Sequence, residues 1–172
     1  MNKLSQKIFL VLILLLIFIA FEHSSINQVN YPVKNSGEIK KEKYSVKRVI
    51  DGDTFVLSNL KRVRLIGIDT PEMNYKKGSP DCGALEAKLK LQELIYKKEV
   101  TLKKDKSNTD RYKRLLRYVF VGDLFVNTEL IKSGLARVKY YYPDISMYKE
   151  FKKLEKTAKA KKIGIWGQLC NH

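Results

Sequence analysis

Histidine is almost missing from this chain: His23 and His172 are the only two, and they stand near opposite ends of 172 residues. Cysteine is as scarce, with Cys82 and Cys170 alone. Two cysteines without neighbouring histidines cannot build a structural zinc site, and copper fares no better with the same ligands. Acidic residues are few, 18 against 34 lysines and arginines, so 34 − 18 leaves an excess of 16 positive charges. Such a field attracts polyanions and speeds encounter with nucleic acid. It does not separate a nucleic-acid protein from a merely lysine-rich one, and it says nothing of fold. No internal repeat runs through the chain and no strand–helix–strand alternation, which points away from a parallel sheet and toward α+β. Long apolar runs are missing except one, residues 8–21 behind Lys3 and Lys7. That run falls short of the roughly 20 residues of a membrane span and suits the core of a signal peptide. The two lysines stay cytoplasmic and send the rest outward. No small-x-small triplet follows Ala20, so residues 1–22 are read as a signal peptide or an N-terminal membrane anchor. The protein is then expected to be secreted or held on the outer face of the cytoplasmic membrane. Residues 23–43 are polar and aperiodic, a flexible linker, and residues 44–172 form the domain.

Within the domain, short runs rich in Val, Ile and Leu at 44–50, 54–57 and 63–68 are separated by turn residues and read as a meander of strands. Residues 73–81 read as an exposed loop. Ser79 and Pro80 mark a helix start, and Ala84, Ala87, Leu91, Leu94 and Ile95 its apolar stripe. Further strands are expected at 100–102 and 115–121, with a charged loop at 103–109 between them. Asn127 is expected to cap a short helix that stops at Gly134. Residues 136–142 read as extended. Met147, Phe151, Leu154 and Ala158 form the stripe of a last helix, ended by Gly164, whose lysines read as a solvated face.

Chemistry concentrates in Asp51-Gly-Asp-Thr54 and Arg64-Leu-Ile-Gly-Ile-Asp-Thr-Pro-Glu72. Each piece alone is an ordinary turn or strand exit. Together they bring three acids and an arginine within about twenty residues. Asp53, Asp69 and Glu72 offer only oxygen ligands, which suits a hard cation such as Ca2+. The fork of Arg64 suits the phosphate such a cation would hold. Strict alternation would put Arg64 and Asp69 on opposite faces of one strand, so the chain must bend first, and Gly67 is the place for it.

These two blocks, with Asp110-Arg-Tyr-Lys-Arg-Leu-Leu-Arg-Tyr118 and the segment from Phe125 to Ala136, resemble the signature blocks of the staphylococcal nuclease family, in the family's order and spacing. The resemblance implies a five-stranded OB-type β-barrel with three packed helices, preceded here by the N-terminal segment. It implies a calcium-dependent nuclease acting on DNA and RNA without sequence preference, as a monomer, and leaving 3′-phosphate ends. Asp53, Asp69 and the backbone carbonyl of Thr70 would bind calcium, with Asp51 tuning them from outside. Glu72 would position or deprotonate the attacking water, and Arg64 and Arg114 would clamp the phosphate. Arg111, Tyr112 and Tyr140 would contact the nucleotide. Lys113 stands where the family often has glycine, which puts the shape of that loop in question. The alternative is a non-catalytic nucleic-acid-binding OB module, though such modules have lost acids or arginines that this chain keeps. For an exported domain, Cys82 and Cys170 are expected to form a disulfide; two free thiols are the other reading. Trp166 is expected to pack beneath the tail.

Overall fold

The computed structural model describes residues 42–75 and 78–170; the expected signal or anchor segment and nearly all of the linker lie outside it. Five strands close on one another: β1 (Lys43–Asp51), β2 (Thr54–Leu57), β3 (Arg62–Leu65), β5 (Glu99–Lys103) and β6 (Leu115–Val121). Antiparallel pairs join β1 to β2 and β2 to β3, and a parallel pair joins β3 to β6. The ring returns through antiparallel β5 to the first three residues of β1. One strand can serve both neighbours because β1 is irregular between Val46 and Arg48 and again between Val49 and Asp51. Such bulges bend a strand and increase its twist, as closing a small barrel requires. Phe55, Leu57, Val63, Leu65, Val100, Leu116 and Val119 fill the interior. This is the expected α+β barrel.

The strand expected over 63–68 is two pieces. After β3 the chain turns at Ile66 and Gly67 and resumes as β4 (Ile68–Asp69), which pairs with β8 (Arg137–Val138). Gly67 has φ +75°, and a Cβ there would lie 3.0 Å from the Phe151 ring. Both the left-handed turn and the packing therefore call for glycine. β7 (Leu124–Phe125) extends β6 past the Gly122–Asp123 turn as a hairpin.

Three helices pack outside: α1 (Ala84–Ile95), α2 (Val126–Lys132) and α3 (Tyr148–Ala160). The stripe Ala84, Ala87, Leu91, Leu94 and Ile95 is buried as expected. The helix begins at Ala84 rather than at Pro80, because Gly83 turns left-handed (φ 83°) just before it. Asn127 is not a cap. It lies inside α2, fully buried, donating to the Ile66 carbonyl at 2.9 Å and accepting the Val119 N–H at 3.0 Å. Its amide thus satisfies barrel groups left open where β3 ends. α3 stops at Ala160, four residues before the expected Gly164, which instead opens a 3₁₀ turn, Gly164–Trp166.

Candidate functional site

The pairing of β2 with β3 sets Thr54 opposite Arg64, which places Asp53 beside the arginine. Asp53 is only 3 % exposed. Its Oδ2 lies 2.8 Å from Arg64 Nη1 and accepts the Thr70 N–H at 3.1 Å. Its Oδ1 accepts the Thr54 hydroxyl at 3.0 Å. Burial pushes this carboxyl upward in pKa, while Arg64, the Thr70 amide and the Thr54 hydroxyl oppose the shift. Arg64, itself 8 % exposed, also donates to the carbonyls of Leu65 (3.1 Å) and Ile68 (2.9 Å) and through Nη2 to Asp69 Oδ1 (2.6 Å). The turn at Gly67 is what returns Asp69 to the arginine's side. Asp69 Oδ1 further accepts Lys139 Nζ at 3.0 Å.

Glu72 stands at the rim with its backbone clasped by Asp81: its N–H donates to Asp81 Oδ2 at 3.1 Å, and its carbonyl accepts the Asp81 N–H at 2.9 Å. Its carboxyl is pushed up to about 7, first by burial, then by sharing a hydrogen bond with Asp51 and by the charges of Asp51 and Asp53. Asp51 also accepts the Gly52 N–H at 2.8 Å.

Arg114 arrives from the loop before β6. Asp110 Oδ2 holds its Nε at 2.7 Å and Oδ1 holds its backbone N–H at 2.9 Å, while Nη1 reaches Thr54 Oγ1 at 3.4 Å. Burial alone would raise the Asp110 carboxyl, but the hydrogen bonds and charge of Arg114 and the Tyr112 amide hold it below the ordinary carboxylate range. Lys113 adopts φ +60°, so the loop keeps the left-handed turn that glycine would provide. A β-carbon there costs roughly 1–2 kcal/mol, offset in part by the smaller chain entropy lost than for glycine. Lys113→Gly is expected to stabilise the fold by about 0.5–1 kcal/mol, read as a raised urea midpoint with unchanged slope.

The structure therefore joins Arg114, Thr54, Asp53, Arg64, Asp69 and Lys139 in one line of contacts, with Asp51 and Glu72 beside it. Tyr112 is 54 % exposed, its ring beneath the guanidiniums of Arg111 (4.8 Å) and Arg114 (5.4 Å). Tyr140, 58 % exposed, is not in contact with the acids; its ring meets Tyr148 edge-on at 5.1 Å.

Among the described residues, no three histidine, cysteine, aspartate or glutamate side chains close on one point as a metal cage. Asp53, Asp69 and Glu72, expected around one cation, do not form that cage, because Arg64 holds Asp53 and Asp69 on its two nitrogens. The donor chemistry still fits a hard divalent ion. Every candidate ligand is an oxygen, and Glu72 and Asp51 crowd closely enough to share a proton, which a cation would relieve. Thr70 is buried with its hydroxyl lacking a hydrogen-bond partner, a further oxygen at the site.

Four participants have no role assigned from sequence. Asp110 precedes Arg114 by four residues, a spacing that hints at the pair. Lys139 and Asp81 carry no local signal, because tertiary contact alone brings them to Asp69 and Glu72. Thr54 lay inside a quoted block without a role.

A family model described as staphylococcal nuclease homologue matches residues 62–168. Thermonuclease of Staphylococcus intermedius is 35 % identical over 171 residues, 96 % of this chain and 99 % of that protein. Thermonuclease of Staphylococcus hyicus is 34 % identical over 78 % of this chain and 83 % of its own length. The SPbeta prophage-derived endonuclease YokF of Bacillus subtilis is 37 % identical over 70 % of this chain and 43 % of its own.

Proposed function

We propose calcium-dependent cleavage of DNA and RNA, with little sequence preference, for this chain, which belongs to the staphylococcal nuclease family and is a phosphodiester hydrolase. The observation that carries the finer reading is the pairing of both arginines with the acid cluster, through Thr54 on one side and directly on the other. A phosphodiester resists attack because an anionic centre must accept another oxygen. Asp53, Asp69 and the Thr70 carbonyl would hold calcium, with Asp51 supporting them from outside. Calcium, when bound, polarises the phosphoryl oxygen and orients water. Glu72, at the rim of the cluster, would position the attacking water or accept its proton. Arg64 and Arg114 offer forks for the charge that grows on the phosphate oxygens. Departure of the 5′-oxygen leaves a 3′-phosphate. Tyr112 presents an exposed ring on which any base can stack, with Arg111 beside it for the backbone; Tyr140 presents a second. Export rests on the lysines and apolar run of residues 1–22, and the mass of the native N-terminus would tell cleavage from anchoring.

The full chain, incubated with plasmid, single-stranded DNA and RNA, should cut all three in calcium and none after chelation. The DNA products should resist polymerase extension until a phosphatase removes their 3′-phosphates. Cleavage that persists under full chelation would refute the metal assignment.

A further inference from the structure

We propose that the lysine-bearing flank of α3, which runs beside β8 and so borders the strand that carries Asp69, is a track for single-stranded polynucleotide adjoining the catalytic site. The proposal rests on the assignment of Tyr140 as a nucleotide contact. Tyr140 packs on Tyr148, the first residue of α3. At 3.6 residues per turn, Tyr148, Lys152, Lys156 and Lys159 follow one another along a single flank of the helix. Lys153 pairs with Glu150 at 3.5 Å, and Lys149, Lys152, Lys153, Lys156 and Lys159 line a shallow groove of about 480 Å³ with a further acid, Glu155. That acid is already engaged. It is 3 % exposed, accepts the Val138 N–H at 2.8 Å and pairs with Lys152 and Lys159. At the other end Lys159 Nζ lies 4.3 Å from the centre of the Trp166 ring, with the guanidinium of Arg137, the strand partner of Asp69, at 5.4 Å.

The flank thus carries exposed lysines that follow on from an exposed ring, Tyr140, and cations beside an exposed aromatic are the combination by which proteins hold single strands without reading sequence. From Tyr148 to Lys159 the helix rises roughly 16 Å. That is the length of roughly five nucleotides at the 3.4 Å spacing of a stacked strand. Trp166, expected to pack, has its Nε1 buried, and its ring closes this end of the row against Lys159 and Arg137. The lysines are exposed, as expected of a solvated face, and that face begins beside a candidate substrate residue, Tyr140.

The test uses the full chain carrying Lys149→Gln, Lys153→Gln and Lys156→Gln together, which leaves the two lysines paired with Glu155 in place. KM for a 30-nucleotide strand should rise about tenfold at low salt, while KM for a dinucleotide and kcat for both stay unchanged. The slope of log affinity against log salt for the long strand should fall by about 2, at roughly 0.7 per phosphate contact. Equal effects on long and short substrates, or an unchanged salt slope, would overturn the track. Binding is also measured on Glu72→Gln, with and without the three lysine changes, so the salt slope reports on the track even if the catalytic assignment fails.

Discussion

Replacing Glu72 by glutamine should lower kcat on DNA by about 10²–10³-fold and, without calcium, raise the thermal midpoint above pH 7. The first effect is the loss of a positioned proton acceptor, which contributes typically 10²–10⁴. The second follows from the raised carboxyl. In the folded chain Glu72 titrates near 7 against an ordinary 4.5, because burial, the shared hydrogen bond with Asp51 and the charges of Asp51 and Asp53 disfavour its anion. Between those two values the folded state binds the proton that the unfolded state has released. Stability therefore falls as pH rises from about 4.5 to about 7 and stays low above that. Glutamine, neutral throughout, escapes the loss, so the variant's advantage should appear only above pH 5 and be full by pH 8. Melting curves of both proteins at pH 4.5 and pH 8, in chelator, check it. A pH-independent difference in Tm, or a fall in kcat of less than tenfold, would remove Glu72 from this role. Calcium should narrow the advantage, since its charge among the acids offsets the repulsion felt by the Glu72 anion and not by glutamine.

How much of this was legible beforehand depends on the range of the contact involved. The barrel strands announced themselves because Val, Ile and Leu runs alternate with turn residues, and Thr54–Leu57 falls where the pattern put it. The turn at Gly67 followed from a purely local conflict, the need to carry Arg64 and Asp69 to one side. Failures came where a distant partner decided the outcome. Asn127 has the chemistry of a helix cap, but the open Ile66 carbonyl and Val119 amide outbid that local use. The start of α1 moved from Pro80 to Ala84 because Gly83 packs under Ile165 and the tail, where a Cβ would come within 2.6 Å of the Ile165 side chain. The acids could be named from their motifs, but not their pairing: a carboxylate placed for a cation also serves an arginine, and Arg64 holds two of them. Lys139 shows the limit most plainly, reaching Asp69 only because β8 lies beside β4.

Removing the bond between Cys82 and Cys170 should destabilise the domain by roughly 4 kcal/mol and lower its thermal midpoint by roughly 12–16 °C. The two cysteines are joined across 88 residues of sequence, with Cα atoms 5.7 Å apart. In the chain-entropy model a loop of that length is costly to leave open in the unfolded state, so the effect is large for a single bond. Position matters as much as length. Cys82 follows Asp81, whose amide and carboxylate both hold the backbone of Glu72, and it precedes Gly83, against which Ile165, Leu169 and Pro71 lie. The bond therefore clamps the C-terminal tail onto the segment that carries the candidate base. Cys82→Ser with Cys170→Ser should melt earlier than wild type and match wild type treated with reductant. At 25 °C, where the barrel still holds, kcat should drop a few-fold while the affinity for a dinucleotide is kept, because Tyr112 and Arg114 hang from the Asp110 loop instead. A midpoint shift under about 3 °C would mean that tail packing, not the covalent bond, fixes this corner. An unchanged kcat would uncouple it from Glu72.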